Sequence, residues 1–225
     1  MALLPNSPVL QRCRVLILAR SYKPGGWCVA GKIIGSRQHG QWVRLVGSDT
    51  SEGISSHRLR INQSNELASP LDLLDLSLVM HRPYLYQHEN FELGTEAVQR
   101  VSHLCAEDAI DLADPNQCFW RSRYLCKTDR LPLSDALQEQ HSLLLMRCRH
   151  VRICPVDSSL RKFRAQFSHQ GVAYDLAITD PNVAQLAAGM PGGRMIPDAL
   201  LTLSLGVPFH NYCYKLVASL IPVSA

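Results

Sequence analysis

The chain is poor in the short signatures that mark common enzymes. It has no Walker loop, no G-x-G-x-x-G and no G-x-S-x-G, and its nine histidines form no H-x-H or H-E-x-x-H. Each missing pattern removes a chemistry: phosphate cradling, dinucleotide binding, acyl transfer from a serine elbow, zinc-assisted hydrolysis. Eight cysteines are present, Cys13, Cys28, Cys105, Cys118, Cys126, Cys148, Cys154 and Cys213, but no C-x-x-C pair. The nearest spacings, 118 to 126 and 148 to 154, are too wide for a zinc knuckle. No metal and no cofactor is therefore expected. No apolar run reaches the roughly 20 residues that a membrane span needs, so no membrane partner is expected. Residues 1–9 lack the charged start and apolar core of a secretory leader. The cysteines read as reduced, mostly packed thiols of a cytoplasmic protein.

An excess of one charge is also missing. Lysine and arginine number 23 against 19 acidic residues, a formal net charge of +4. That balance permits a polyanionic partner without demanding one. A hydrophobic fraction of 46% excludes a disordered chain. The 225 residues suffice for one large domain or two small ones.

What is present is strand-forming sequence at both ends. Residues 13–19, 27–34 and 41–46 are three short strand-like runs, the first nearly continuously apolar as in a strand buried on both faces. Lys23-Pro24-Gly25-Gly26 reads as a turn between the first two, and residues 35–40, with glycine at each end, as a hairpin loop. In the third run Trp42, Arg44 and Val46 share one face and Val43 and Leu45 the other. Residues 71–79 alternate as a half-buried strand. Residues 95–113 place Val98, Val101, Leu104, Cys105, Ile110 and Leu112 at roughly helical spacing and read as one helix or two short ones. A further short turn of helix, capped by Ser134, is expected over 133–140. Strands return at 142–154, 160–168, 172–179, 199–205 and 212–222, with a short helix at 183–188. The fold expected is mainly β, α+β overall: a first β-rich unit over 1–92, a helical insertion over 93–140 and a second β-rich unit over 141–225.

Two groups of side chains suit a polyanion. Lys23 and Arg44 could neutralise phosphates beside a stacking Trp42, with Tyr22 and Trp27 nearby; Arg147, Arg149, Arg152, Arg161, Lys162 and Arg164 would extend the track. The competing readings are a core tryptophan with a paired arginine, and a solvated charged face. Asp175, Asp180 and Lys215 form a third group, read either as structural ion pairs and caps or as the site of an enzyme acting on nucleotides. Cys28 or Cys213 as a nucleophile would need a base that the sequence does not place.

A family likeness spans nearly the whole chain. It is carried by Leu16-Ile17-Leu18-Ala19, Lys23-Pro24-Gly25-Gly26, Cys28-Val29-Ala30-Gly31 and Trp42-Val43-Arg44-Leu45-Val46; by Tyr86-Gln87, Glu89-Asn90 and Asp129-Arg130; and by Tyr174-Asp175-Leu176, Thr179-Asp180-Pro181, Leu203-Ser204-Leu205-Gly206, Pro208-Phe209 and residues 212–218. On these residues the chain resembles the bacterial proteins of the dual OB-containing domain family. Val207 departs from the pattern, standing where the family commonly shows glutamate. The resemblance implies two OB-type barrels and a link to nucleic-acid transactions or antiviral defence. The reading is then a non-enzymatic nucleic-acid-binding module. An adaptor subunit is the alternative, docking protein partners through the final strand and the 84–91 connector.

Overall fold

The computed structural model describes residues 8–23, 25–48, 53–62, 64–115, 120, 128–157, 159, 161–188, 190 and 192–224, with the side chains of 8–10 excepted. Contacts divide the chain into Met1–Leu112 and Ala113–Ala225.

The first unit is a closed five-stranded barrel. Its strands are β1 (Pro8–Lys23), β2 (Gly26–Ile34), β3 (Trp42–Val46), β4 (Asp72–His81) and β5 (Asn90–Leu93). They pair in the order β1-β2-β3-β5-β4 and close through β4 onto β1. Every pairing in the ring is antiparallel except β3 with β5. The barrel is filled from alternate positions: Val15 and Ile17, Val29 and Ile33, Val43 and Leu45, Leu74, Leu76 and Leu78, Phe91 and Leu93. The register of β1 against β2 shifts between Ile17 and Ala19, a bulge that bends the long first strand around the barrel. Gly31 lies against the Leu16 backbone there, where an added Cβ would stand 2.1 Å from the Leu16 oxygen.

The second unit repeats this topology. Its ring is β8 (Leu143–Pro155), β9 (Phe163–His169), β10 (Val172–Ile178), β11 (Arg194–Leu205) and β12 (Tyr212–Pro222). The order is β8-β9-β10-β12-β11, closed by β11 on β8, and again the third and fifth strands are parallel. A short helical turn stands between the third and fourth ring strands of each barrel, Ser56–Leu59 in the first and α2 (Val183–Leu186) in the second. Gln170 and Gly171, both at positive φ, close the β9–β10 hairpin.

Among the described residues of 93–140 the expected helical insertion does not form. Residues 95–113 instead give β6 (Gln99–His103), paired to β4, and a 3-10 turn over Glu107–Leu112. The half of β4 not taken by β5 offers unsatisfied backbone groups to the following segment, and pairing with them wins over a weak helical period. Val101, assigned to a buried helical face, is exposed. Farther on, β7 (Arg130–Pro132) pairs with β12, and α1 (Leu133–Ala136) follows. Ser134 is inside that turn and hydrogen-bonds Asp135, so it is not the cap. Cys118, Cys126, Arg121, Arg123 and Lys127 lie outside the described residues, as does Pro24.

Candidate nucleic-acid interface

In an OB barrel the outer face of the second and third ring strands, flanked by the loops after strands one and four, is where ligands bind. The first barrel covers that face with its own residues. Arg44 points outward from β3, opposite the core-facing Val43 and Leu45, yet is only 5% exposed. Its guanidinium contacts Glu89 at 3.4 Å and Cys28 Sγ at 3.2 Å. Burial pulls the pKa of Arg44 down, and Cys28 and Glu89 more than offset this, leaving it above the ordinary arginine value. Lys32, facing Trp42 across the β2–β3 pair, is 3% exposed and donates Nζ to the Leu112 carbonyl at 2.7 Å. That ammonium sits 5.1 Å from the centroid of the half-buried Trp42 ring, so one face of the indole is already engaged.

Lys23 is not beside this pair. It is opposite Gly26 on β2, whereas Trp42 is opposite Lys32, a separation of about 20 Å along a strand rising ~3.3 Å per residue. The surroundings of Lys23 are aromatic. Exposed Tyr22 stacks on Trp27 at 4.6 Å, and the Arg20 guanidinium lies 4.9 Å from the Trp27 ring. The sequence-level grouping of Lys23, Trp42 and Arg44 as one open surface is therefore corrected. Alternation identifies the outward face, but only the fold shows that Glu89 and Leu112 close over it.

The corresponding face of the second barrel is open. Gln166 and Ser168 on β9 and Ala173 and Asp175 on β10 are exposed, while Phe163, Ala165, Phe167, Tyr174 and Leu176 fill the inside. On β8 the in–out alternation slips at Arg149-His150, where His150 takes a φ of 57°, so both residues and then Arg152 are exposed. Together they line a shallow concavity of about 810 Å³ with Gln166, Asp175 and Met195.

Not every arginine here is available. Arg147 is held by Asp198 at 2.7 Å, and this hydrogen bond holds the Asp198 carboxyl below its usual range. Arg164 is clasped by Asp175 at 2.5 Å and Asp129 at 3.5 Å. Arg152 donates to the Gly192 carbonyl at 3.3 Å. The exposed side chains of Arg149, Arg161 and Lys162 form no ion pair among the described residues.

Asp175, Asp180 and Lys215 do not form one site. Asp175 is on the outer face with Arg164 and Gln166. Asp180 is buried and accepts hydrogen bonds from Leu220 N, Ser219 Oγ and Asn182 N, tying the end of β10 to β12. Lys215 is 1% exposed on the opposite face of the barrel wall from Asp175, because Ala177 pairs with Leu216. Of the thiols near these faces, Cys28 is half-buried against Arg44 and Cys154 half-buried against Gln166. Cys213 is sealed inside, and burial pushes Cys148 up to about 12 and Cys13 up to about 11. No group of three or more metal-ligating side chains occurs among the described residues.

The surface expected for an adaptor is largely interior: β12 is mostly buried and Phe91 is in the core, which leaves Tyr84, Leu85 and His88 of the connector exposed. Among the described residues no helix is long and apolar enough to cross a membrane. The β11–β12 connection carries part of the family likeness but was assigned no site role from sequence; Phe209 and Tyr212 are exposed there, and Arg130 stands 4.9 Å from the Tyr212 ring. A Phe-His-Asn-Tyr run with no glycine at the turn was the available signal.

No curated protein matches the chain. Among solved structures it is similar to the crystal structure of tetrameric p202 HIN2, with a TM-score of 0.35 and 8% identity over 99% of this chain and 97% of that one. It is also similar to the p204 HINb domain, with a TM-score of 0.32 and 9% identity over 93% and 98%. A family model described as the dual OB-containing domain matches residues 13–220. With two closed barrels of the same strand order beneath that match, the chain belongs to the dual OB-containing domain family.

Proposed function

We propose that this protein is a non-enzymatic nucleic-acid-binding module and that its contact surface is the open outer face of the second barrel. The observation that carries the reading is the set of exposed cations there: among the described residues Arg149, Arg161 and Lys162 form no ion pair at contact distance, Arg149 and Lys162 feeling Asp198 and Asp157 only through space, and Arg152 donates to a backbone carbonyl. Arg149 and Arg152 stand on the first ring strand, and Arg161 and Lys162 in the loop after it, one of the loops that flank the face where an OB barrel takes an oligonucleotide. Guanidinium groups suit phosphates through their bidentate fork. The wider setting is carried in the same proposal: a cytoplasmic role in a prokaryotic defence or nucleic-acid-processing assembly, supported by the family resemblance.

The test is a salt titration of binding to a labelled oligonucleotide. Four phosphate contacts on a single strand set the slope of log affinity against log salt at about −3. Combining Arg149→Gln, Arg161→Gln and Lys162→Gln should flatten it to about −1 and leave the melting curve in place. Absence of oligonucleotide binding at low salt, or a slope indifferent to the triple change, sinks the reading.

A further inference from the structure

The β11–β12 connection holds two aromatic rings in solvent. Phe209 and Tyr212 exchange both backbone hydrogen bonds, at 2.8 and 3.1 Å, around a two-residue turn of His210 and Asn211. Both turn residues are left-handed, with φ of 48° and 64°. This is the type I′ pattern, in which glycine or asparagine is the usual occupant. Histidine in that region is strained, and His210 is exposed, so burial does not compensate it. The turn is pinned from behind by Leu133 N, which donates to the Asn211 carbonyl at 2.9 Å. The result is a rigid tip on which Phe209 is 62% exposed, with the His210 ring against its edge at 4.2 Å and Arg130 over Tyr212.

We propose that Phe209 and Tyr212 are a stacking platform for unpaired nucleobases, which makes the interface selective for single strands over duplex. This rests on the nucleic-acid reading above and adds to it the form of the ligand. A flat ring held in water with a guanidinium beside it matches a base next to a phosphate. The bases of a duplex are stacked on one another and present no open face to such a tip. The platform adjoins the basic face through successive residues. Arg130 covers Tyr212, and its neighbour Asp129 contacts Arg164 on the outer side of β9. A protein partner for the tip would have no need of that continuity with the cationic surface.

The experiment compares Phe209→Ala, Phe209→Leu and Phe209→Trp with wild type. Each is titrated with a fluorescent single-stranded oligonucleotide, as DNA and as RNA, and with the DNA duplex of the same sequence. Stacking predicts that alanine and leucine each weaken single-strand binding by about 5- to 100-fold, that tryptophan retains it, and that duplex binding and melting temperature do not move. Equal binding of single strand by wild type and the alanine variant, or an equal loss on duplex, overturns the platform. The nucleic-acid reading survives that result if the triple Arg149, Arg161 and Lys162 change still flattens the salt slope. A wild-type protein that binds neither form at low salt overturns both, and assigns the exposed rings to a protein partner instead.

Discussion

The two barrels share strand order, a parallel pairing of the third and fifth strands and the position of the short helical turn, yet treat the same face in opposite ways. On the first barrel the outward positions of the second and third ring strands are buried, and their cations are used internally: Arg44 by Glu89, Lys32 by the Leu112 carbonyl. On the second, the equivalent positions carry Gln166, Ser168, Ala173 and Asp175 in solvent, bordered by arginines. A fold therefore supplies a place where a ligand could bind, and local coverage decides whether the place is open. The cations of the first face are engaged within the protein, whereas on the second Arg147 and Arg164 meet carboxylates and Arg149, Arg161 and Lys162 stand in solvent.

That contrast can be broken most forcefully at Glu89. Glu89→Ala leaves the Arg44 charge buried beside Cys28 without its carboxylate, and should destabilise the protein by about 3–5 kcal/mol. Urea denaturation reads this directly, and oligonucleotide affinity should follow only the folded fraction. A loss below ~1 kcal/mol would mean that the first face is more open than its burial states. Next in size is Asp180→Ala in the second barrel. It strips acceptors from Leu220 N, Ser219 Oγ and Asn182 N and should cost about 2–4 kcal/mol; an unchanged urea midpoint would reject the structural assignment of Asp180 in favour of a site role.

The smallest effect sharpens the comparison by pH. The Arg147 hydrogen bond holds Asp198 below the ordinary carboxylate range, so the folded state binds that proton less readily than the unfolded state does. The stabilisation is then complete above the unfolded carboxylate pKa of about 4 and is lost as pH falls through the lower folded value. Wild type should accordingly lose its small advantage over Asp198→Asn between pH 5 and pH 2 in urea midpoints. An exposed pair contributes little, so an advantage as large as that of the buried Arg44–Glu89 pair would erase the distinction between the two faces.

Much of the fold was legible because strand alternation is a local property. The 41–46 run placed Val43 and Leu45 inside and Arg44 outside, and the 71–79 run alternated as β4 does. Residues 95–113 were misread because six apolar positions over so short a stretch fit a helix and a strand nearly equally. The unpaired part of β4, more than twenty residues earlier, made the choice. The site was less legible for the same reason. Outward and exposed are different things, and the carboxylate that neutralises Arg44 is at Glu89, far along the chain. Phe209, named only for its family likeness, was given no site role because a turn residue carries no period to mark its exposure.

By itself the sequence determined where most of the strands run, which of their side chains face inward and that two β-rich units lie in one chain, since these follow from alternation, turn residues and composition. The tertiary structure alone decided which arginines meet carboxylates, which face is covered and which aromatic rings stand in water. Those outcomes depend on residues brought together across the barrel, and no local pattern encodes that distance.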